Sequence, residues 1–399
     1  MSRKFPLGGW VYFDMSDKSY TEAEVERWAK CGCTVMLAGG IGSTEEHWSK
    51  AERFLDKAQE YGMKLIFDCG AGSYYGCNES NVAQREEAFR KVYERFKGHP
   101  ALYGFHAGDE PSTTDGLEGT VLALGLQRRV APELDPYINL AGSTWKMDGK
   151  FNGLTFTQWM KRLKDEANCR VVCFDNYAQT INDGGRTDYF RIIKNMVEAA
   201  EAAGLECWET PLCSAHIAYK SMDEYGIMWQ ITTSAALGIK GITWFRFYDR
   251  QIAPNYHASP IDEYGNTTLT YERMMRCHRR FNDQFGELLM RLKRKESWML
   301  GFQRMSYPMF GENSHPLIKD IKSFERMVIS TFEDENGTEY LCLVNAELEQ
   351  HTTVQVTYDR EKCRLTELIL NGTIEGRYRS GGNISLYPGQ MAIYRIDRR

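Results

Sequence analysis

Apolar residues in this chain come in short runs separated by longer amphipathic stretches. The runs are LGGWVYFD (7–14), TVMLAGG (34–40), KLIFDCG (64–70), ALYGFHAGDE (101–110), PYINLAGS (136–143), RVVCFDNY (170–177), LECWETPL (205–212) and GITWFRFYD (241–249). Their shortness and their aromatic and β-branched content predict eight strands. Between them, helical spacing predicts a helix in TEAEVERWAKCG and another in VAQREEAFRKVYERFKG. After the second strand, Ser43-Thr44-Glu45-Glu46 predicts a capping box, with Ser43 bonding the N3 amide and Glu46 reaching back. That helix runs to Tyr61 and stops at Gly62. Helices over Arg186–Ala203 and Asp223–Leu237 end at Gly204 and Gly238, where a C′ glycine belongs. The last helix, Leu269–Arg294, collects its basic residues at the C-terminal end, as the helix dipole favours.

Eight strand-then-helix units predict an α/β fold, a (β/α)8 barrel. A doubly wound open sheet is the alternative. It needs a glycine-rich phosphate turn between its first strand and helix, and Gly8-Gly9 lies at a strand start instead. Beyond Ser297 the pattern changes to alternating strands: RMVISTFED, EYLCLVNAE, TTVQVTYD, LTELILNG and QMAIYRI, with ENG, NGT, GGN and PGQ between them. This predicts a small antiparallel β-sandwich. The expected domains are a barrel over 1–296 and an accessory sandwich over 297–399.

Composition narrows the function. The 399 residues carry a net charge of −5, which argues against a duplex nucleic-acid partner. No apolar run reaches the roughly 18 residues of a membrane span. The opening MSRKFPLGGWVYFDM has no cleavage-site pattern, so the expected location is cytoplasmic. The 11 cysteines are an odd number, and Cys69, Cys173 and Cys207 sit inside strand-like runs. That reads as a reduced interior. Cys31-Gly32-Cys33 has no second pair at zinc-finger spacing and reads as a helix end running into a strand. There is no H-E-x-x-H and no G-x-S-x-G. No metal or cofactor is expected. Aromatics make up 13%, with 9 Trp and 22 Tyr, enough to supply stacking platforms for sugar rings as well as core.

Barrel sites are built at the C-terminal ends of the strands. Strand 1 contributes Trp10 and Asp14, strand 3 Asp68, and strand 4 His106, Asp109 and Glu110. Strand 6 contributes Asp175 and Tyr177. Strand 8 contributes Trp244, Arg246 and Tyr248, read as sharing one inward face. Strand 7 offers Glu206 and Glu209, and Glu209 lies nearer the mouth. Adjacent Asp109 and Glu110 repel, which raises the pKa of one of them and suits a general acid. Paired carboxylates across a barrel mouth are the equipment of glycoside hydrolysis. The long, aromatic loop Asp249–Thr267 is expected to shape the pocket.

The strand-4 ending GFHAGDEP resembles the Asn-Glu-Pro-type acid/base motif of the clan A glycoside hydrolases. The order of eight strands over 7–294 and the PGQMAIYRI ending of the sandwich are similar too. The resemblance implies a retaining enzyme with Glu110 as acid/base and Glu209 as nucleophile, and the substrate expected is a β-linked sugar removed by exo action. The sequence departs from the pattern in two places. Asp109 stands where most of the clan has Asn, and strand 7 reads Glu209-Thr210-Pro211 instead of ending Thr-Glu. Two other readings remain open. One is a barrel that binds glycans without cleaving them. The other is a metal-dependent sugar isomerase or epimerase using Asp68, Glu110, Asp175 and Glu209.

Overall fold

The computed structural model describes residues 4–179, 185–249, 256–302, 307–370, 374–378 and 383–399. Its first eight principal strands are β1 (Leu7–Gly9), β2 (Val35–Gly40), β3 (Lys64–Asp68), β4 (Leu102–Asp109), β5 (Tyr137–Leu140), β6 (Val171–Asp175), β7 (Glu206–Thr210) and β8 (Ile242–Trp244). They form one parallel sheet in the order β1-β8-β7-β6-β5-β4-β3-β2. Isolated parallel bridges Trp10–Leu37 and Asp14–Gly40 join β1 to β2 and close the barrel. Gly8 makes that seam possible, because a Cβ there would lie 1.7 Å from the Val35 carbonyl oxygen.

A helix follows each strand: α1 (Ala23–Lys30), α2 (Glu45–Glu60), α3 (Val82–Phe96), α4 (Thr114–Val130), α5 (Phe156–Asp165), α6 (Gly185–Ala203), α7 (Glu224–Ala236) and α8 (Leu269–Phe281). Three local predictions shift. The cap of α2 is Thr44, which accepts from the His47 amide, so the helix starts one residue later than read and its N3 is His47 instead of Glu46. The capping box belongs to α5, where Thr155 and Gln158 bond each other's backbone amides. The last helical segment stops at Arg291, and Lys293 and Arg294 already belong to a sandwich strand.

Two cores sit on either side of the barrel wall. Inside, Trp10, Val35, Leu37, Ile66, Tyr137, Val171, Cys173 and Trp208 pack together. Outside, the helices cover the other faces of the same strands, with Trp28, Phe54, Phe89, Trp159 and Trp229 among the largest buried rings. Side chains alternate across the wall because the strand repeat is two residues. On β7, Trp208 belongs to the inner core and Cys207 to the outer one.

The C-terminal region forms a six-stranded antiparallel sheet facing a three-stranded one. The strands are β9 (Lys293–Leu300), β10 (Ile318–Ser323), β11 (Met327–Glu333), β12 (Glu339–Asn345), β13 (Thr352–Tyr358), β14 (Cys363–Leu370), β15 (Ile374–Tyr378), β16 (Asn383–Leu386) and β17 (Met391–Arg398). The sheet orders are β9-β11-β12-β17-β14-β15 and β10-β13-β16. The sandwich docks on α7, where the Trp229 indole donates to the Ala346 carbonyl at 2.9 Å and Thr232 donates to the Gly389 carbonyl at 2.7 Å. Among the described residues, no helix is long and apolar enough to cross a membrane.

Candidate active site

The mouth of the barrel is organised around Asn139, at the end of β5. Its amide nitrogen donates to Asp109 at 2.9 Å and to Asp175 at 2.7 Å, linking the ends of β4 and β6. Its amide oxygen accepts from the Thr210 hydroxyl at 3.3 Å. The three contacts leave one sensible orientation for the amide. Below it, Thr210, Thr243 and the Tyr137 hydroxyl form a buried chain of hydrogen bonds, with Thr210–Thr243 at 2.9 Å and Tyr137–Thr243 at 2.8 Å.

Glu110 follows Asp109 on an exposed turn. Its φ of +47° is left-handed, a conformation a non-glycine residue adopts at a cost of about 1 kcal/mol or more. The turn is held by the Glu110 amide donating to the Asn139 carbonyl at 2.9 Å. The Glu110 side chain reaches hydrogen-bonding contact with Asp175. Burial drives the Asp175 carboxyl well above the usual carboxylate range. The Asn139 bond opposes this, and the neighbouring charges of Asp109 and Glu110 add to it. Burial also raises Asp109, against the Asn139 bond and the nearby His106. The Asp109 backbone is clamped by Tyr74, whose hydroxyl donates to its carbonyl at 2.6 Å, and by Tyr75, which accepts from its amide at 3.1 Å.

His106 faces the inside of the barrel, edge-on to Trp10 with ring centres 5.0 Å apart. Its Nδ1 lies 2.5 Å from an Asp68 carboxylate oxygen. Burial would lower the imidazole pKa, but the Asp68 charge and hydrogen bond raise it above its ordinary value. Trp10, Tyr12, Asp68, Tyr75, His106 and Asp109 line a cavity of about 310 Å³. Tyr177 packs against Phe245 and Tyr219 at ring-centre distances of 6.0 and 5.5 Å. Its hydroxyl is pushed well up by burial and by Asp175. The buried Arg246 donates from Nε to the Tyr248 carbonyl at 2.6 Å. Its guanidinium lies over the Tyr256 and Tyr12 rings, 4.9 and 5.5 Å from their centres.

Four expected residues are elsewhere. Glu209 is wholly buried on the helix side of β7. Its carboxyl accepts from Asn176 at 2.6 Å and from Ser234 on α7, and burial pushes it up to about 8. It does not face Glu110 across the mouth, and it falls outside the four-acid metal set as well. Trp244 points to α8, where its indole donates to His278 at 2.9 Å. Tyr248 is buried against α1, accepting from Trp28 at 2.7 Å and donating to Glu24 at 2.8 Å. The inward face of β8 is therefore Thr243 and then Phe245, and the expected Trp244–Arg246–Tyr248 face is not formed. Asp14 organises the turn after β1 by accepting from the Ser16 amide at 2.8 Å, and does not line the cavity.

The sequence reading missed Asn139, Thr210, Tyr74 and Tyr75. Asn139 carried a signal, being a polar residue two positions after inward Tyr137 in an otherwise apolar strand. Residues 250–255 of the loop expected to shape the pocket lie outside the described residues. Among the described residues, the metal-capable side chains whose ligand atoms lie within 4.8 Å of one another are Cys31, Cys33 and His278, away from this mouth.

The fold is that of known glycoside hydrolases. A β-galactosidase from Bacillus circulans sp. alkalophilus superposes with a TM-score of 0.67 at 10% identity, over 98% of this chain and 99% of that one. An endo-β-1,4-mannanase from Thermotoga petrophila gives 0.50 at 11% identity, over 96% and 98%. A β-galactosidase from the Antarctic haloarchaeon Halorubrum lacusprofundi gives 0.52 at 11% identity over 70% of this chain, which spans 58% of that enzyme's length. No family profile and no curated protein sequence matches the chain.

Proposed function

We propose that this protein is a glycoside hydrolase of β-linked sugars, with Glu110 as the general acid and Asp175 as its partner carboxylate. The observation that carries this reading is the carboxylate set Asp109, Glu110 and Asp175, held together by Asn139 at the C-terminal rim. Burial and the neighbouring charges hold the Asp175 carboxyl well above the usual carboxylate range, which supplies a proton that Glu110, in contact with it, can carry. That proton serves the leaving-group oxygen. Attack on the anomeric carbon needs the two carboxyls about 5–5.5 Å apart and activation of water about 6.5–9.5 Å, so the proposal requires the sugar to part them on entry. His106 and Asp68 face the cavity and supply hydrogen bonds to sugar hydroxyls. Trp10 and Tyr12 supply the apolar wall. A cavity of about 310 Å³ is at the small end of ligand pockets, which supports capture of a terminal sugar and exo action. Arg246 between its two tyrosine rings favours a substrate carrying an acidic or hydroxyl-rich group.

The orientation of Glu209 favours a second reading, a glycan-binding barrel without turnover, because the inward β7 position is Thr210. One experiment separates the two. Aryl β-glycosides and β-uronides are assayed with the wild type, Glu110→Gln and Asp175→Asn, and the anomer first released is read by NMR. Turnover that falls at least 100-fold in both variants supports the hydrolase. Binding of the sugars in the absence of turnover supports the second reading.

A further inference from the structure

At the opposite end of the barrel, where the strands begin, lies a second group of reactive side chains. Cys31 caps the C-terminus of α1 and Cys33 leads into β2. Gly32 between them has a φ of +80°, and this left-handed turn brings both thiols toward His278 on α8. The ligand atoms of the three residues lie within 4.8 Å of one another. The Cys31 thiol donates to the Tyr271 carbonyl at 3.8 Å, beside the Cys33 sulfur. All three side chains are buried, yet Cys33 and His278 line a cavity of about 830 Å³ that Lys4, Lys64 and Arg279 also border.

The state of the imidazole follows from its neighbours. The Trp244 indole is a donor only, so His278 Nε2 at 2.9 Å must accept. The ring proton is then on Nδ1, which faces the Cys31 carbonyl at 3.1 Å. Both nitrogens are engaged, and a metal ion would have to displace one of these bonds to find a lone pair. Burial alone would raise the Cys33 thiol, but the adjoining Cys31 and His278 side chains outweigh that and hold it at about 6. Burial and the neighbouring Cys33 drive Cys31 the other way, well above the ordinary thiol range. Cys33 borders the cavity and is placed to attack, with Cys31 beside it to resolve.

We propose that Cys33 and Cys31 are an oxidisable dithiol that reacts with small peroxides entering through the cavity at the N-terminal face of the barrel. The Cys33 thiolate attacks one peroxide oxygen. An S–O bond forms, the O–O bond breaks, and hydroxide or alkoxide leaves. Cys31 then attacks the sulfenic sulfur, an S–S bond forms, and water leaves with the thiol proton. The two electrons lost by the thiols reduce the peroxide. The two sulfurs lie within 4.8 Å of each other, and forming the disulfide draws them together across the Gly32 turn.

The test uses the full chain, folded and reduced, titrated with hydrogen peroxide and then digested with trypsin. Both cysteines fall on the single peptide that follows Lys30. The expected result is loss of the mass of two hydrogens from that peptide, at peroxide doses that leave the other nine cysteines reduced (11 in total). In Cys31→Ser, Cys33 is expected to accumulate as a dimedone-reactive sulfenic acid at least 10-fold above any other site. Cys33→Ser should abolish labelling of Cys31. Oxidation spread evenly over the cysteines would overturn the proposal. So would stoichiometric retention of added zinc with protection of both thiols, which would make the group a metal site. The wild-type peptide map stands even if a variant fails to fold.

Discussion

Glu209 and Thr210 are neighbours on β7 and face opposite sides of the barrel wall. Thr210 joins the inner hydrogen-bond chain under Asn139, and Glu209 is buried among α6 and α7 with Asn176 and Ser234. The acid is therefore unable to reach a sugar in the mouth.

This gives Glu209→Gln two expected outcomes. Activity should stay within about 5-fold of the wild type, whereas loss of a nucleophile lowers kcat by a factor of about 10³ or more. Stability should also change its dependence on pH. The carboxyl is raised by burial to about 8, so its folded pKa lies above its unfolded one. Its favourable contribution is complete below the unfolded pKa near 4.5 and is lost as pH rises through 8. Thermal melts between pH 6 and pH 9 should show the wild-type Tm falling and that of Glu209→Gln changing less. A parallel decline would refute this.

Asn139→Ala removes the shared donor between Asp109 and Asp175. Hydrogen bonds contribute about 0.5–1.5 kcal/mol each, and more where the acceptor is ionised, so the carboxylates should both lose position. The expected result is a fall in kcat/KM of about 10- to 100-fold with a smaller change in KM, read by steady-state assay on whichever sugar the panel identifies. Unchanged kinetics would remove Asn139 from the working site.

His106 owes its raised pKa to Asp68 against the effect of burial. The pair's contribution is complete below the unfolded histidine pKa and fades as pH rises through the higher folded value. Asp68→Asn should lower the His106 midpoint followed by NMR. A midpoint that stays where it was would mean that another group holds the proton.

Gly389 has a φ of +66°, and a Cβ there would lie 2.6 Å from the Trp229 amide nitrogen. Gly389→Ala should destabilise the protein by about 1–3 kcal/mol, seen as a lower Tm, by pushing the sandwich off α7. A melt unchanged within error would show that the junction yields.

The barrel and the sandwich were legible in the chain because strand length, helical spacing and turn glycines are local signals. Gly204 and Gly238 end their helices as expected, with positive φ. The strand-4 acids were legible for the same reason, since a polar cluster at the end of an apolar run has few places to go. The helices α4 and α5 went unassigned, although Thr155 and Gln158 mark the start of α5 in plain view.

What local pattern leaves undetermined is which side of the wall each residue faces. A period of two sorts the residues of a strand into two sets, but both sides of a barrel wall are buried and apolar, so neither set announces itself as the inner one. Trp208 and Trp244 illustrate the ambiguity: both are fully buried tryptophans, one inside the barrel and one against α8. Packing of the whole barrel resolved it, and with it turned Glu209 away, brought Thr210 in, and drew Asp109 and Asp175 to one amide. The chain's alternating pattern set the elements and their order. The pairing of side chains from distant strands required closure of the sheet, because those contacts exist only once all eight strands are in place.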